Sequence, residues 1–185
     1  MTAETLPRPV PASRAAAPPS IEARRLSKRF DGLAVVSDMS LEVAQGEMVG
    51  LIGPNGAGKT TMFNLLAGSL RPNTGEIWIG GREVSGEPPE RRIAHGVART
   101  FQIPRPFHRL SIFENVVLAG FYGQSRHSRS KAEAAAERAL AMVGLPTDRR
   151  SSVEGLGAAG LKKLELAKAL ATGPKLLLAD ESLGG

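Results

Sequence analysis

A chain of 185 residues with 23% charged and 42% apolar side chains can bury a core and is too mixed to be unfolded throughout. It has no cysteine, which excludes disulfides and thiolate metal sites, and no apolar run near the ~18 residues that a membrane-spanning helix needs. The net charge of +6 permits an anionic partner, yet 6 Phe, 1 Trp and 1 Tyr without aromatic–basic interleaving argue against a base-stacking surface.

Residues 1–20 carry Pro7, Pro9, Pro11, Pro18 and Pro19 among alanines, which predicts a disordered tail with order starting at Ile21. Met1–Pro7 has no apolar signal region, which suits the cytosol. Short strands are expected over 21–30, 33–36 and 39–43, separated by Asp31-Gly32 and Ser37-Asp38. Met48-Val49-Gly50-Leu51-Ile52 has the length and apolarity of a buried strand. A helix over 61–67, stopped by Gly68, follows.

Between that strand and helix lies Gly53-Pro54-Asn55-Gly56-Ala57-Gly58-Lys59-Thr60, the pattern G-x-x-x-x-G-K-S/T of a phosphate-binding loop. Glycines let the backbone aim several N–H groups into one concavity, and the helix N-terminus adds partial positive charge. Lys59 is placed to reach β- and γ-phosphates, and the Thr60 hydroxyl to ligate Mg²⁺.

Further on, residues 76–84 read as a hairpin turning at Gly80-Gly81, with Trp78 as a packing residue. Pro88-Pro89-Glu90 opens a short helix closed by Gly96, and a strand is expected over 97–101. Ser130-Lys131-Ala132-Glu133 reads as a capping box opening a helix to Val143, ended by Gly144 and Pro146. Leu161, Leu164, Ala167 and Leu170 mark a face of another helix. Lys175 to Glu181 is an apolar strand ending in two acids. With the loop at 53–60, Asp180 is the expected second holder of Mg²⁺, and Glu181 is placed to orient or deprotonate an attacking water. His95, His108 and His127 show neither metal spacing nor a catalytic partner and read as surface or packing residues.

The loop, the acids and the helices between them resemble the ATP-binding subunit of ABC transporters, and more narrowly the subunits that drive importers of branched-chain amino acids. Leu26 to Leu33 looks like that family's opening strand, and the resemblance makes Phe30 the residue that stacks on adenine. Arg99-Thr100-Phe101-Gln102 looks like the Q-loop, with Gln102 touching Mg²⁺ or the attacking water. Residues 101–107, 110–116 and 164–171 follow the style of the branched-chain subgroup. The resemblance implies an α/β P-loop NTPase fold of ABC type: a central, mostly parallel sheet, an antiparallel β subdomain, and a helical insertion at roughly 105–172. It implies ATP contacts through Phe30, Gly53 to Thr61 (Ala57 and Thr61 included) and Gln102, and Mg²⁺ at Thr60, Gln102 and Asp180. The catalytic roles fall on Lys59 and Glu181.

The chain departs from the family pattern in the signature loop, where L-S-G-G-Q is replaced by Leu156-Gly157-Ala158-Ala159-Gly160. Gly157 removes the serine that would bond the partner's γ-phosphate, Ala159 takes the usual glycine position, and Gly160 follows one place later. Backbone N–H groups at the start of the helix expected over 161–171 remain to bind phosphate, so a weaker nucleotide sandwich is expected. The chain stops four residues after Glu181, before the family's D-loop, a further core strand and a switch histidine. In the family's order that strand lies between the phosphate-loop strand and the Asp180 strand, and without it these would stand roughly 9–10 Å apart. The expectation is an incomplete domain, truncated after the strand of the acids.

The function implied is an ATP-hydrolysing subunit that energises import of branched-chain amino acids or similar small polar solutes. It would sit at the cytoplasmic face of the membrane, against transmembrane permease subunits, as a homodimer or with a paralogue, served indirectly by a solute-binding protein and without nucleic acid. The alternatives are a non-hydrolysing nucleotide-binding module and a soluble ABC ATPase acting on DNA or the ribosome.

Overall fold

The computed structural model describes residues 17–101, 103–123 and 128–180. A four-stranded antiparallel sheet in the order β2-β1-β3-β4 is built from β1 (Ile21–Phe30), β2 (Leu33–Val43), β3 (Thr74–Ile79) and β4 (Arg82–Glu83). A second sheet pairs β5 (Val97–Arg99) in parallel with β6 (Leu176–Leu178). Helix α1 (Lys59–Ala67) lies between β2 and β3 in sequence, and α2 (Pro89–Ala94) leads into β5. A helical layer of α3 (Ile112–Phe121), α4 (Arg129–Val143) and α5 (Ala158–Ala171) intervenes before β6.

Two cores form. One gathers Ile21, Ala23, Leu26 and Ile77 of the antiparallel sheet around Met62 and Leu65 of α1, with Val97 and Leu178 of the parallel pair. The other gathers Ile112 and Val116 of α3, Ala136 and Leu140 of α4, and Leu164 and Ala167 of α5. Alternation explains the first: β1 buries Ile21 and Ala23 while Glu22 faces outward. Spacing of three or four residues explains the second.

Several elements differ from the sequence-based expectation. The break at Ser37-Asp38 does not end a strand: β2 runs through it, with Asp38 at φ +48 and register shifts against β1, so the two residues are absorbed in an irregularity. The hairpin at 76–84 forms, with Gly80 and Gly81 at φ +55 and +81, the pairing that a two-residue primed turn requires. The strands at 97–101 and 175–181 are shorter than expected. The capping box at 130–133 does not form: α4 starts at Arg129 after Ser128, and Glu133 instead bonds Arg129 and Arg149. Ser111 and Glu114 make the box, reciprocally bonded at 3.1 and 2.8 Å, and open α3, a helix that the sequence reading did not place.

The largest correction concerns Met48 to Ile52, which is not a strand. Met48 and Ile52 are 96% and 95% exposed. A buried strand needs neighbours for its backbone groups and its apolar faces. Among the described residues no strand pairs with this stretch, while β6 pairs only with β5. Apolarity alone therefore does not make it a strand here.

Candidate functional site: a phosphate loop and a buried acid

The loop from Gly53 to Gly58 enters α1 through two glycines in the left-handed region, Gly56 at φ +82 and Gly58 at φ +81. Gly58 is the N-cap of α1 and is pressed against β2: a Cβ there would stand 2.7 Å from the Val35 carbonyl oxygen. Only glycine satisfies both the dihedral and the space. No side chain caps the helix and its first turn holds no acid, so the first turn brings no carboxylate of its own to the positive end. Val35, Asn55, Gly56, Gly58, Lys59, Thr60 and Thr61 line an open cleft of about 510 Å³ at this end. Lys59 folds back over the loop, its Nζ donating to the carbonyls of Gly53 at 2.6 Å and Pro54 at 2.8 Å. The Ala57 N–H donates to the Pro54 carbonyl and tightens the turn.

The other end of α1 is held as firmly. Gly68, at φ +84, returns its N–H to the Leu65 carbonyl. Arg92 of α2 is buried beneath it, donating from Nη1 to the Leu65 and Leu66 carbonyls at 2.6 and 2.8 Å and from Nη2 to Val84 at 2.8 Å. It thus gives the helix-end carbonyl of Leu66 a donor and that of Leu65 a second one beside the Gly68 N–H. Burial pushes the Arg92 guanidinium down to about 10, with Glu87 and Glu83 opposing that shift.

Asp180 follows β6 and is buried. Its backbone N–H donates to Thr100 Oγ1 at 3.3 Å, and its Oδ2 accepts from Arg99 Nη2 at 3.2 Å. Arg99 Nη1 donates to Asn64 Oδ1 on α1 at 2.5 Å. The structure thus ties the acid to the phosphate-loop helix through Arg99 and Asn64, neither of which the sequence reading assigned to the site. The available signal was Arg99 itself, standing just before Thr100-Phe101-Gln102.

Phe30 closes β1, is 41% exposed, and carries the Lys28 ammonium 5.3 Å from its ring centre. Trp78 is half-buried under the Arg24 guanidinium at 4.9 Å, with its Nε1 bonded to Glu76. His95 bonds Glu87 at 2.8 Å. Gln102, Glu181 and His127 lie outside the described residues.

The signature segment differs from expectation in one respect: the helix begins at Ala158, not 161, so Ala158, Ala159 and Gly160 form its first turn. Gly157 is the N-cap, extended at φ −70, with open space where a Cβ would stand. Leu156 packs against Gly160, where a Cβ would meet Leu156 Cδ2 at 2.9 Å. Further along α5, Glu165 accepts from the Arg105 N–H at 3.1 Å and from Lys168 Nζ at 2.7 Å, while Lys168 also donates to the Arg105 carbonyl. Asn115 of α3 grips the same connection, accepting from the Phe107 N–H and donating to the carbonyls of Phe107, Leu110 and Ser111. The segment after Gln102 is therefore fastened to two helices, by residues that the sequence reading left without a role.

An anion-ready helix start, a lysine folded over its loop and a buried acid at the end of a parallel strand define a phosphate-loop nucleotide-binding protein. The comparison with known proteins makes this specific. The chain belongs to the ABC transporter family, whose pattern matches residues 36–184. It is 34% identical over 175 residues to the probable branched-chain amino acid transport ATP-binding protein LivG of Archaeoglobus fulgidus, covering 89% of this chain and 68% of that one. It is 36% identical over 180 residues to the high-affinity branched-chain amino acid transport ATP-binding protein BraF of Pseudomonas aeruginosa, covering 90% and 71%. The fold matches the ADP conformation of the ATP-binding cassette MJ1267 with a TM-score of 0.79 at 24% identity, over 90% of this chain and 70% of that one. The protein is an ABC-type ATP-binding subunit.

Proposed function

We propose that this subunit binds and hydrolyses Mg-ATP to power the import of branched-chain amino acids or similar small polar solutes. The observation that carries the reading is the phosphate loop: two left-handed glycines deliver the uncapped N-terminus of α1, with Lys59 folded over it. The loop N–H groups from Gly53 to Thr61 hold the phosphates, and Lys59 exchanges the Gly53 and Pro54 carbonyls for β- and γ-phosphate oxygens. The Thr60 hydroxyl and Asp180 carboxylate are oxygen donors of the kind that Mg²⁺ takes, and Thr60 stands in the first turn of α1 while Asp180 is tied to that helix through Arg99. Bound there, Mg²⁺ would neutralise phosphate charge. Phe30 presents an exposed ring for adenine, Gln102 contacts the metal or water, and Glu181 orients or deprotonates the water.

The Gly157 to Gly160 segment meets the nucleotide of a second subunit, either a copy of this chain or a paralogue. Gly157 offers no hydroxyl, so the N–H groups of the first turn of α5 carry that contact. The helical layer from about residue 105 to 172 forms the insertion that meets permease subunits at the cytoplasmic face of the membrane. No helix among the described residues is long and apolar enough to cross a membrane, so separate proteins form the pathway in this reading.

The test is ATP binding and turnover by the protein and its Lys59→Ala variant. Binding with turnover in the parent, both lost in the variant, supports the reading. Binding without turnover would favour a non-hydrolysing module, and no nucleotide binding would overturn both.

A further inference from the structure

We propose that Arg99 is a positioning residue that sets α1 against the end of β6, so that Thr60 and Asp180 converge on one divalent cation. The inference rests on the nucleotide-binding reading above and makes the Arg99 tie responsible for metal affinity. Arg99 ends β5, in register with Leu178, two residues before Asp180. Its fork spans two elements: Nη1 to Asn64 Oδ1 at 2.5 Å and Nη2 to Asp180 Oδ2 at 3.2 Å. The side chains of Arg99 and Asp180 are 12% and 8% exposed, so water screens this pair little.

Asn64 is four residues after Thr60, one turn along the same face of α1. Fixing Asn64 to Arg99 therefore fixes the height of Thr60 relative to the acid. Among the described residues no other side-chain hydrogen bond joins α1 to the segment from β6 to Asp180. The stretch 48–52, which leads into the loop, gives no sheet pairing that would hold the loop to β6. Among the described residues Arg99 Nε is buried without a partner. A buried unpaired donor is costly, and its retention fits a side chain aimed by its two Nη contacts rather than by local satisfaction. Lysine, a point charge, cannot make both contacts in this geometry.

The experiment is a Mn²⁺ titration of the protein with saturating ADP, followed by electron paramagnetic resonance, beside ADP binding in the presence of EDTA. The variants are Arg99→Gln, Arg99→Lys and Asn64→Leu; the last removes the α1 anchor and leaves Arg99 and Asp180 in place. The expected result is Mn²⁺ affinity lower by roughly 10- to 100-fold in Arg99→Gln, Asn64→Leu and Arg99→Lys, each of which breaks the two-sided contact, and unchanged metal-free ADP binding. Unchanged Mn²⁺ affinity in Asn64→Leu overturns the proposal, as does an equal loss of metal-free ADP binding, which would mark a general folding role. Tighter Mn²⁺ binding in Arg99→Gln also overturns it, since Arg99 would then be competing with the metal. If Arg99→Gln does not fold, Asn64→Leu decides alone. An unsubstituted protein that binds no Mn²⁺–ADP overturns the nucleotide reading as well, whereas normal parent binding with unaffected variants overturns only the role of Arg99.

Discussion

The Val35 carbonyl oxygen lies 2.7 Å from where a Cβ on Gly58 would stand, and Gly58 is held at φ +81. Strand β2 and the phosphate loop are thus in backbone contact at the residue that starts α1. Gly58→Ala should destabilise the protein by on the order of 1–3 kcal/mol, because the side chain must clash or the backbone must leave the left-handed region. Nucleotide binding should fall further than stability, since the loop N–H groups move with Gly58. Thermal melts alongside nucleotide titrations check this; wild-type affinity in a folded variant would contradict it.

Gly157→Ser should behave in the opposite way. Gly157 is extended, and its missing Cβ would meet open space. A serine fits without strain and caps α5, for a gain of a few tenths of a kcal/mol. If the N–H groups of α5 hold a partner's nucleotide, the added hydroxyl should also strengthen ATP-dependent dimerisation and raise turnover. An unchanged rate would refute that second effect.

Arg92 is the buried cation most heavily used by main-chain carbonyls. Arg92→Met removes the guanidinium from the carbonyls of Leu65, Leu66 and Val84, of which Leu65 and Val84 keep the N–H groups of Gly68 and Glu87, and should cost roughly 2–3 kcal/mol. Arg92→Lys should lose less, because one ammonium can serve part of the set. Denaturant unfolding of the two variants measures the difference; equal stability to the parent would remove Arg92 from the helix-end role.

Asn115 uses both ends of its amide on the connection from Phe107 to Ser111. Asn115→Leu should cost about 2–3 kcal/mol and leave the Phe107 and Leu110 backbone open to exchange. Hydrogen exchange across 105–111 is the direct readout, with faster exchange there than in α4 as the expected pattern.

The Arg149 and Arg129 guanidiniums hold the Glu133 carboxyl below its ordinary value of 4.5, Arg149 contributing first. A lowered folded-state value means stabilisation that is present above the unfolded value and lost as pH falls through the folded one. The stability difference between the parent and Glu133→Gln should therefore be constant near neutrality and shrink below about pH 4.5. The pair is open to water, so the effect is small and should fall with added salt. A difference that grows on acidification would contradict the assignment.

The sequence by itself determined the parts whose cause is local. The phosphate loop is legible because glycines at fixed spacing, followed by Lys59 and Thr60, answer a demand of the backbone within eight residues. Gly80-Gly81 and Gly68 are legible for the same reason: a turn or a helix end asks for positive φ at that place. The tertiary structure decided whatever depends on a neighbour distant in the chain. Met48 to Ile52 is as apolar as a buried strand and is not one, since a strand exists only by pairing. Three S-x-x-E patterns are present, at 111–114, 130–133 and 151–154, and only Ser111 and Glu114 closed into a box: Arg129 and Arg149 engage Glu133, and Ser152 takes the Glu154 N–H. Arg99 read as an ordinary charge in a motif. That it joins Asn64 to Asp180, across 35 and 81 residues of sequence, is a property of packing that no local pattern encodes.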